Sequence, residues 1–265
     1  MPLAVEHVRR MRGGAQSHLM RASDGGYYIV KFQNNPQHVR VLANEMLAAR
    51  LAERLGLPVA RPEVIEVTSE LIEDTPELHI QKSLGREPCR AGLQFGSRYP
   101  GDPAALAVHD LVPEERLLEV GNLDAFLGML IFDRWTCNTN GRQVIFYPNG
   151  APTRYRAMMI DQGFCFNAGD WNFPDSPLRG LYPRPLVYRP VRSLDSFEPA
   201  LHRVEEISPR VLDEAVASVP PEWYDFDQEA LLSLISRLYD RRKRIRQMLI
   251  ETRDCFRQPF PNWTT

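Results

Sequence analysis

Apolar residues alternate with polar ones in some stretches of this chain and recur every three or four positions in others, and the two spacings separate strands from helices. Ser17 to Ala22 reads as a strand, Ser23-Asp24-Gly25-Gly26 as a turn, and Tyr27-Tyr28-Ile29-Val30-Lys31-Phe32 as the antiparallel return. Pro36 opens a predicted helix that runs to about Gly56, with Val39, Leu42, Ala43, Met46, Leu47, Leu51 and Leu55 at helical spacing. Gly56-Leu57-Pro58 stops it, as a glycine followed by a proline does. Two further strands are expected, Ala60 to Val67 and Leu78 to Ser83. The first third is thus a small sheet with one helix.

Beyond it the pattern changes. Leu93-Gln94-Phe95-Gly96-Ser97-Arg98-Tyr99-Pro100-Gly101 mixes apolar and turn residues and reads as a connector between two lobes, with an ordinary loop as the equal alternative. A strongly apolar helix is predicted from Leu117 to about Trp135, on Leu118, Leu123, Phe126, Leu127, Leu130 and Ile131. Val144 to Tyr147 and Tyr155 to Ile160 read as paired strands, joined by a turn over Pro148-Asn149-Gly150-Ala151-Pro152. Pro221 to about Phe256 reads as helical, with Arg241-Arg242-Lys243-Arg244 as a solvated basic face, and 22 prolines imply a loop-rich second half. The fold class is α+β.

Composition narrows the function without selecting it. At 265 residues and 43% hydrophobic, the chain suits one large domain or a two-lobed one. No apolar run approaches the roughly 20 residues of a membrane span, and Met1 to Met11, with Glu6, His7, Arg9 and Arg10, lacks an apolar signal core, so a cytoplasmic protein without a membrane partner is expected. A net charge of −2 gives no electrostatic case for nucleic acid. Cys89, Cys137, Cys165 and Cys255 are far apart, without a CxxC pair, and read as free buried thiols. The histidines are dispersed, with no HExxH pair, and no GxSxG elbow occurs.

The candidate chemistry lies at strand ends. Lys31 closes one strand and Asp161 another; a lysine can neutralise phosphate oxygens and an aspartate can ligate the magnesium that bridges them. Gly13-Gly14 and Ser17 lie one strand before Lys31, where paired glycines let backbone amides approach an anion and a hydroxyl adds a donor; a plain turn is the alternative. Glu45 is either the carboxylate partner of Lys31 or one more solvated helix glutamate like Glu53. Around Gln94 and Phe95 an extended backbone could bond an adenine edge while Phe95 or Tyr99 packs the ring. Phe132 to Gln143 is dense in Asp, Asn and Arg, and a loop, a hairpin and an aspartate in that order are what a kinase uses.

Taken together, Gly13-Gly14 with Ser17, Val30-Lys31-Phe32, Asn44-Glu45, Phe95-Gly96-Ser97, the Phe132–Gln143 segment and Ile160-Asp161-Gln162-Gly163 resemble the HipA-like kinase family, bacterial relatives of Ser/Thr kinases with the two-lobed protein-kinase and phosphatidylinositol-kinase fold. The resemblance implies a β-rich N-lobe over residues 1–97 that binds nucleotide phosphates and a mainly helical C-lobe over 98–265. It implies ATP and Mg2+, with Lys31 on the phosphates, Glu45 beside it, and Asp161, Asn138 and Gln143 at the metal. The phosphate acceptor would be a protein hydroxyl or, as the second choice, a small molecule.

The catalytic loop departs from the family. Many relatives carry Asn-x-Asp where this chain has Asn138-Thr139-Asn140, and an asparagine side chain cannot accept a proton as a carboxylate does. Three readings follow: Asp133 is the base, since its spacing to Asn138 mimics the kinase Asp-x4-Asn; Asn140, with Arg142, only orients the nucleophile; or the protein binds ATP and transfers nothing, as a pseudokinase. Phe164 to Tyr182 would be the activation and substrate-binding region, or a Pro-pinned loop on the C-terminal helices, with Ser176 as a conceivable phosphate acceptor.

Overall fold

In the computed structural model, which describes residues 1–148, 150 and 155–264, the chain begins with a sheet-rich part and continues into a helical one. Five strands, β1 (Ala4–Arg10), β2 (His18–Ala22), β3 (Tyr27–Lys31), β4 (Pro62–Val67) and β7 (Gly92–Arg98), form one antiparallel sheet in the order β1-β2-β3-β7-β4. The sheet curls until Glu66 N beside one edge donates to Pro2 O beside the other, at 3.0 Å. Its inner face carries Met20, Tyr28, Val30, Ile65 and Val67. A short helix α2 (Ser69–Glu73) and a hairpin of β5 (His79–Lys82) and β6 (Gly85–Pro88) close this core with Ile72, Leu78, Ile80 and Cys89.

The opposite face meets helix α1 (Val41–Arg54), which starts later than Pro36 because residues 36–40 form turns. α1 is buried almost all round: Val41, Met46, Leu47 and Leu51 enter a large core shared with the C-terminal helices. A single amphipathic stripe would give only one buried face, so the full burial means that α1 is the spine between the two parts.

The strand β1 carries almost no alternation, because it is an edge strand with Val5 and Val8 in solvent, and the sequence reading did not find it. The expected connector at 93–101 is instead the central strand β7, paired with β3 on one side and β4 on the other; the connection to the helical part begins after Arg98. The apolar helix expected from Leu117 splits into a 3-10 turn over Glu114–Glu119 and helix α3 (Ala125–Thr136). Between them Val120 bridges Tyr155, and the Asn122 amide donates to Ala157 O and accepts from Ala157 N, both at 2.9 Å, so the side chain stands in for a strand neighbour.

Strands β8 (Gln143–Pro148) and β9 (Tyr155–Ile160) pair as expected; residues 149 and 151–152 of the predicted turn lie outside the described residues. Helices α4 (Glu198–Glu205), α5 (Pro209–Ala217), α6 (Gln228–Arg241) and α7 (Ile245–Asp254) complete the chain. Arg241 is no part of a solvated face. It is buried, donates to Trp135 O and Arg134 O at the end of α3 (both 3.0 Å) and pairs with Asp175 at 2.7 Å. A cation on the free carbonyls of a helix C-terminus is stabilised by the helix dipole. Cys89, Cys137 and Cys165 are free and buried, and Cys255 is half-buried. No helix of the described residues is long and apolar enough to cross a membrane.

Candidate functional site

Strand register aligns the first site residues. Lys31 pairs with Phe95 and Phe95 with Val64, while His18 pairs with Val30, so extending the β2–β3 register by one residue sets Ser17 opposite Lys31. Directly paired residues project to the same face, so Ser17, Lys31 and Phe95 share a face of the sheet, the face that α1 covers. From α1 comes Glu45, which accepts a hydrogen bond from Lys31 Nζ. From the end of β9 comes Asp161, whose Oδ1 accepts from the same ammonium at 2.7 Å.

Glu45 is therefore no solvated helix glutamate. Its side chain is 3% exposed, and besides Lys31 it accepts from Gln162 N at 2.9 Å and Gly163 N at 3.0 Å, the donor set of a carboxylate rather than a carboxylic acid. Burial works against the charge of Lys31, but Glu45 and Asp161 outweigh it and hold the ammonium above its ordinary pKa. Burial also works against Asp161, and there Lys31 wins, holding the carboxyl below the usual carboxylate range.

Asp161 adopts φ +60°, the left-handed region that a non-glycine residue occupies at a cost. Its surroundings over-determine it: Lys31 holds Oδ1, the Gln143 amide donates to Oδ2 at 2.8 Å, and the two following amides are on Glu45. Helix α3 ends at Cys137, also left-handed, and this turn delivers the loop 138–142 beside β9. There Asp133 is fully buried, and both its oxygens accept from the Arg142 guanidinium, with Asn138 Nδ2 on Oδ1 at 3.0 Å. Arg142 Nη1 donates in turn to Ile160 O at 2.9 Å, one residue before Asp161. Asp133 and Arg142, expected among the catalytic groups, form a buried ion pair that braces the loop. Asn140 is half-buried and Gly141 exposed, so this tip is the open part of the loop.

Gly13 and Gly14 lie in the β1–β2 connection, with Gly13 at φ +114°. Two amides fix this loop: Asn35 Nδ2 donates to Ala15 O at 2.9 Å, and the Gln16 side chain pairs with both backbone groups of Gln81 (2.8 and 2.7 Å). Gln94 and Phe95 fare differently from expectation. The Gln94 amide is spent inside the sheet part, accepting from Gln33 N and donating to Arg90 O, both at 2.8 Å. The Phe95 ring belongs to the shared core, and β7 has a hydrogen-bonded neighbour on each side, so its backbone offers no open edge to an adenine.

Asn44 is the residue the sequence reading underused. It is fully buried next to Glu45, its Nδ2 lies 2.8–3.0 Å from the carbonyls of Gly163, Cys165 and Ala168, and its Oδ1 accepts from the Trp171 indole at 2.7 Å. His38 on Gly163 O, and Arg40 on Gly169 O and over the Trp171 ring, extend this grip. The signal was an amide and a carboxylate set within an apolar helical run, after Val41-Leu42-Ala43 and before Met46-Leu47-Ala48, since buried polar groups occur where they find partners.

Mg2+ characteristically takes one or two carboxylates and leaves its other positions to phosphates and water. Asp161 is one such carboxylate, with the Gln143 amide on its Oδ2, whereas the Asn138 amide is engaged by Asp133 and by Asn140 N; no group of three His, Cys, Asp or Glu residues able to cage a metal occurs among the described residues.

The sequence profile of the HipA-like kinase family matches residues 4–162. Among solved structures, the Golgi casein kinase with Mn/ADP bound aligns over 95% of this chain and 74% of its own, with TM-score 0.55 and 14% identity. The Helicobacter pylori proinflammatory kinase CtkA aligns over 94% of this chain and 95% of its own, with TM-score 0.52 and 13% identity. At such identities the likeness is one of fold: two-lobed, protein-kinase-like α+β. No curated protein matches the chain by sequence.

Proposed function

The chain belongs to the HipA-like kinase family, and from that premise we propose that it binds ATP with Mg2+ between its two parts and transfers the γ-phosphate to a hydroxyl, foremost on a protein. The observation that carries this reading is the convergence of Lys31, Glu45 and Asp161 from a strand, a helix and a distant hairpin on one buried cluster. In this reading residues 1–97 hold the phosphates and 98–265 carry the loop, the metal ligands and the acceptor surface.

Lys31 directs its ammonium to phosphate oxygens, and Glu45 fixes its position so that no reorganisation is needed when they arrive. Asp161, with Gln143 and Asn138, would hold Mg2+, which would neutralise the negative charge that develops on the phosphates during transfer. The Gly13–Ser17 loop covers the phosphates with backbone amides. Asp133 and Arg142 set the loop that presents Asn140 to the acceptor hydroxyl. The adenine edge falls to residues after Arg98, because β7 itself is paired on both sides.

A second reading is favoured by Asn140 alone: a nucleotide-binding module without transfer, since the tip of the loop offers an amide where a base would stand. One experiment separates the two. Thermal stability is measured with ATP, with and without Mg2+, and labelled phosphate is then followed to the protein itself and to a lysate. Stabilisation with transfer supports the kinase, stabilisation without transfer selects the module, and no ATP-dependent stabilisation removes both.

A further inference from the structure

Asn140 is followed by glycine, and the structure places the two reactive groups of that pair together. Gly141 N donates to Asn140 Oδ1 at 2.9 Å. With a carbonyl bond of ~1.23 Å, Asn140 Cγ lies no farther than ~4.1 Å from that nitrogen. Gly141 is exposed, and the space a side chain would fill has nothing within 4 Å, so the turn lies open to solvent. The leaving amide nitrogen, Asn140 Nδ2, is held by no partner among the described residues. Asn138, two positions earlier, is the opposite case: fully buried, its Nδ2 on Asp133, and followed by the β-branched Thr139, whose N is bonded to Phe164 O.

We propose that Asn140–Gly141 is a self-modification site at which deamidation creates a carboxylate at the tip of the loop. Gly141 N, its proton taken up by solvent, attacks Asn140 Cγ; the N–Cγ bond forms, the Cγ–Nδ2 bond breaks, and ammonia leaves with a proton from water. A five-membered succinimide results. Water then adds either at the Cγ-derived carbonyl, breaking the new N–Cγ bond to give aspartate, or at the backbone-derived carbonyl, breaking its C–N bond to give isoaspartate. Only water is consumed and no electrons change hands. Resting on the reading under Proposed function, the aspartate product would supply the base that the encoded asparagine withholds, so the protein would gain transferase activity as it ages.

The test uses the full chain, incubated in mildly alkaline buffer and sampled over days. Trypsin cleaves after Arg134, Arg142 and Arg154, so peptide 135–142 carries Asn138 and Asn140, while the chain's other Asn–Gly pair, Asn149–Gly150, falls in peptide 143–154. A zero-time sample digested identically sets the baseline. The expected result is a gain of one dalton in 135–142, confined to Asn140, growing with time and with pH, and slowed severalfold by Gly141→Ala. Phosphate transfer should rise with the aspartate fraction, and Asn140→Asp should give that end state at once, roughly 10²-fold above fresh protein. An Asn140 that keeps its amide while Asn149 loses its own overturns the proposal. Conversion at Asn140 with neither aged protein nor Asn140→Asp transferring phosphate leaves the modification standing and removes Asn140 from the base position instead.

Discussion

Lys31 Nζ and Asp161 Oδ1 lie 2.7 Å apart although 130 residues separate them in the chain. Neither strand end would have a partner on its own: β3 would bury an unpaired ammonium, and β9 would end on a carboxylate in a strained backbone. Their meeting, together with Glu45, explains why each can be buried.

Replacing Lys31 tests both stability and binding. Lys31→Met keeps the volume but leaves Glu45 and Asp161 facing each other without a cation, and breaking a buried pair from one side costs about 3–5 kcal/mol. Chemical denaturation should show that loss, and ATP with Mg2+ should no longer raise the melting temperature. A melting temperature that still climbs with ATP would take the phosphate site away from Lys31.

Asn44→Ala should loosen the segment after Asp161. It strips partners from the Trp171 indole and from the carbonyls of Gly163, Cys165 and Ala168, and each buried group left unsatisfied costs about 1–3 kcal/mol. Asn44→Asp keeps an acceptor for Trp171 but cannot donate to carbonyls, so it should destabilise at least as much. Hydrogen exchange read on residues 163–171 is the measurement; unchanged protection there would show that Asn44 does not hold the segment.

What the sequence could disclose depended on whether the signal was local. The strands at Tyr27 and Tyr155 and the charged residue at each end were legible because alternation and strand-end chemistry are local properties. So was the pairing of β8 with β9. The central position of β7 was not: Gly92 to Arg98 contains turn-forming residues, and only the neighbours β3 and β4 make it a strand. The exposed β1 gave no alternation to read. In the site, Lys31, Glu45 and Asp161 were visible as residue types in a kinase-like order, whereas the pairing of Asp133 with Arg142 is a contact nine residues apart across a left-handed turn at Cys137 that no periodicity announces. Arg241 misled for the same reason, since four consecutive basic residues look solvated until a helix end takes one of them inward.

Asp133 and Asn140 should part company under mutation. Asp133→Asn removes the charge that compensates a fully buried guanidinium, so folding stability should drop by about 3–5 kcal/mol. Asn140→Asp, at the half-exposed tip, should change stability by no more than about 0.5 kcal/mol. Urea denaturation of the two variants compares them directly, and equal stability of Asp133→Asn and the parent would return Asp133 to the list of candidate bases.

His18 should impose an acid limit on the sheet-rich part. Burial, reinforced by His7 and Arg10 of β1 and by His79 of β5, pushes its pKa down to about 4, and Cys89 and the edge-on ring of Phe32 complete its surroundings. A histidine with a depressed folded pKa is neutral in the fold, while the unfolded chain takes up a proton below about 6.5. The unfolded state then binds more protons, so stability is intact above about 6.5 and declines as pH falls through the window down to about 4. His18→Leu removes the titrating ring while keeping an apolar side chain, and the melting temperature of that variant should fall less steeply over the same window. A slope identical to the parent's would place the acid sensitivity elsewhere, with His7 the next group to replace because burial depresses its pKa as well.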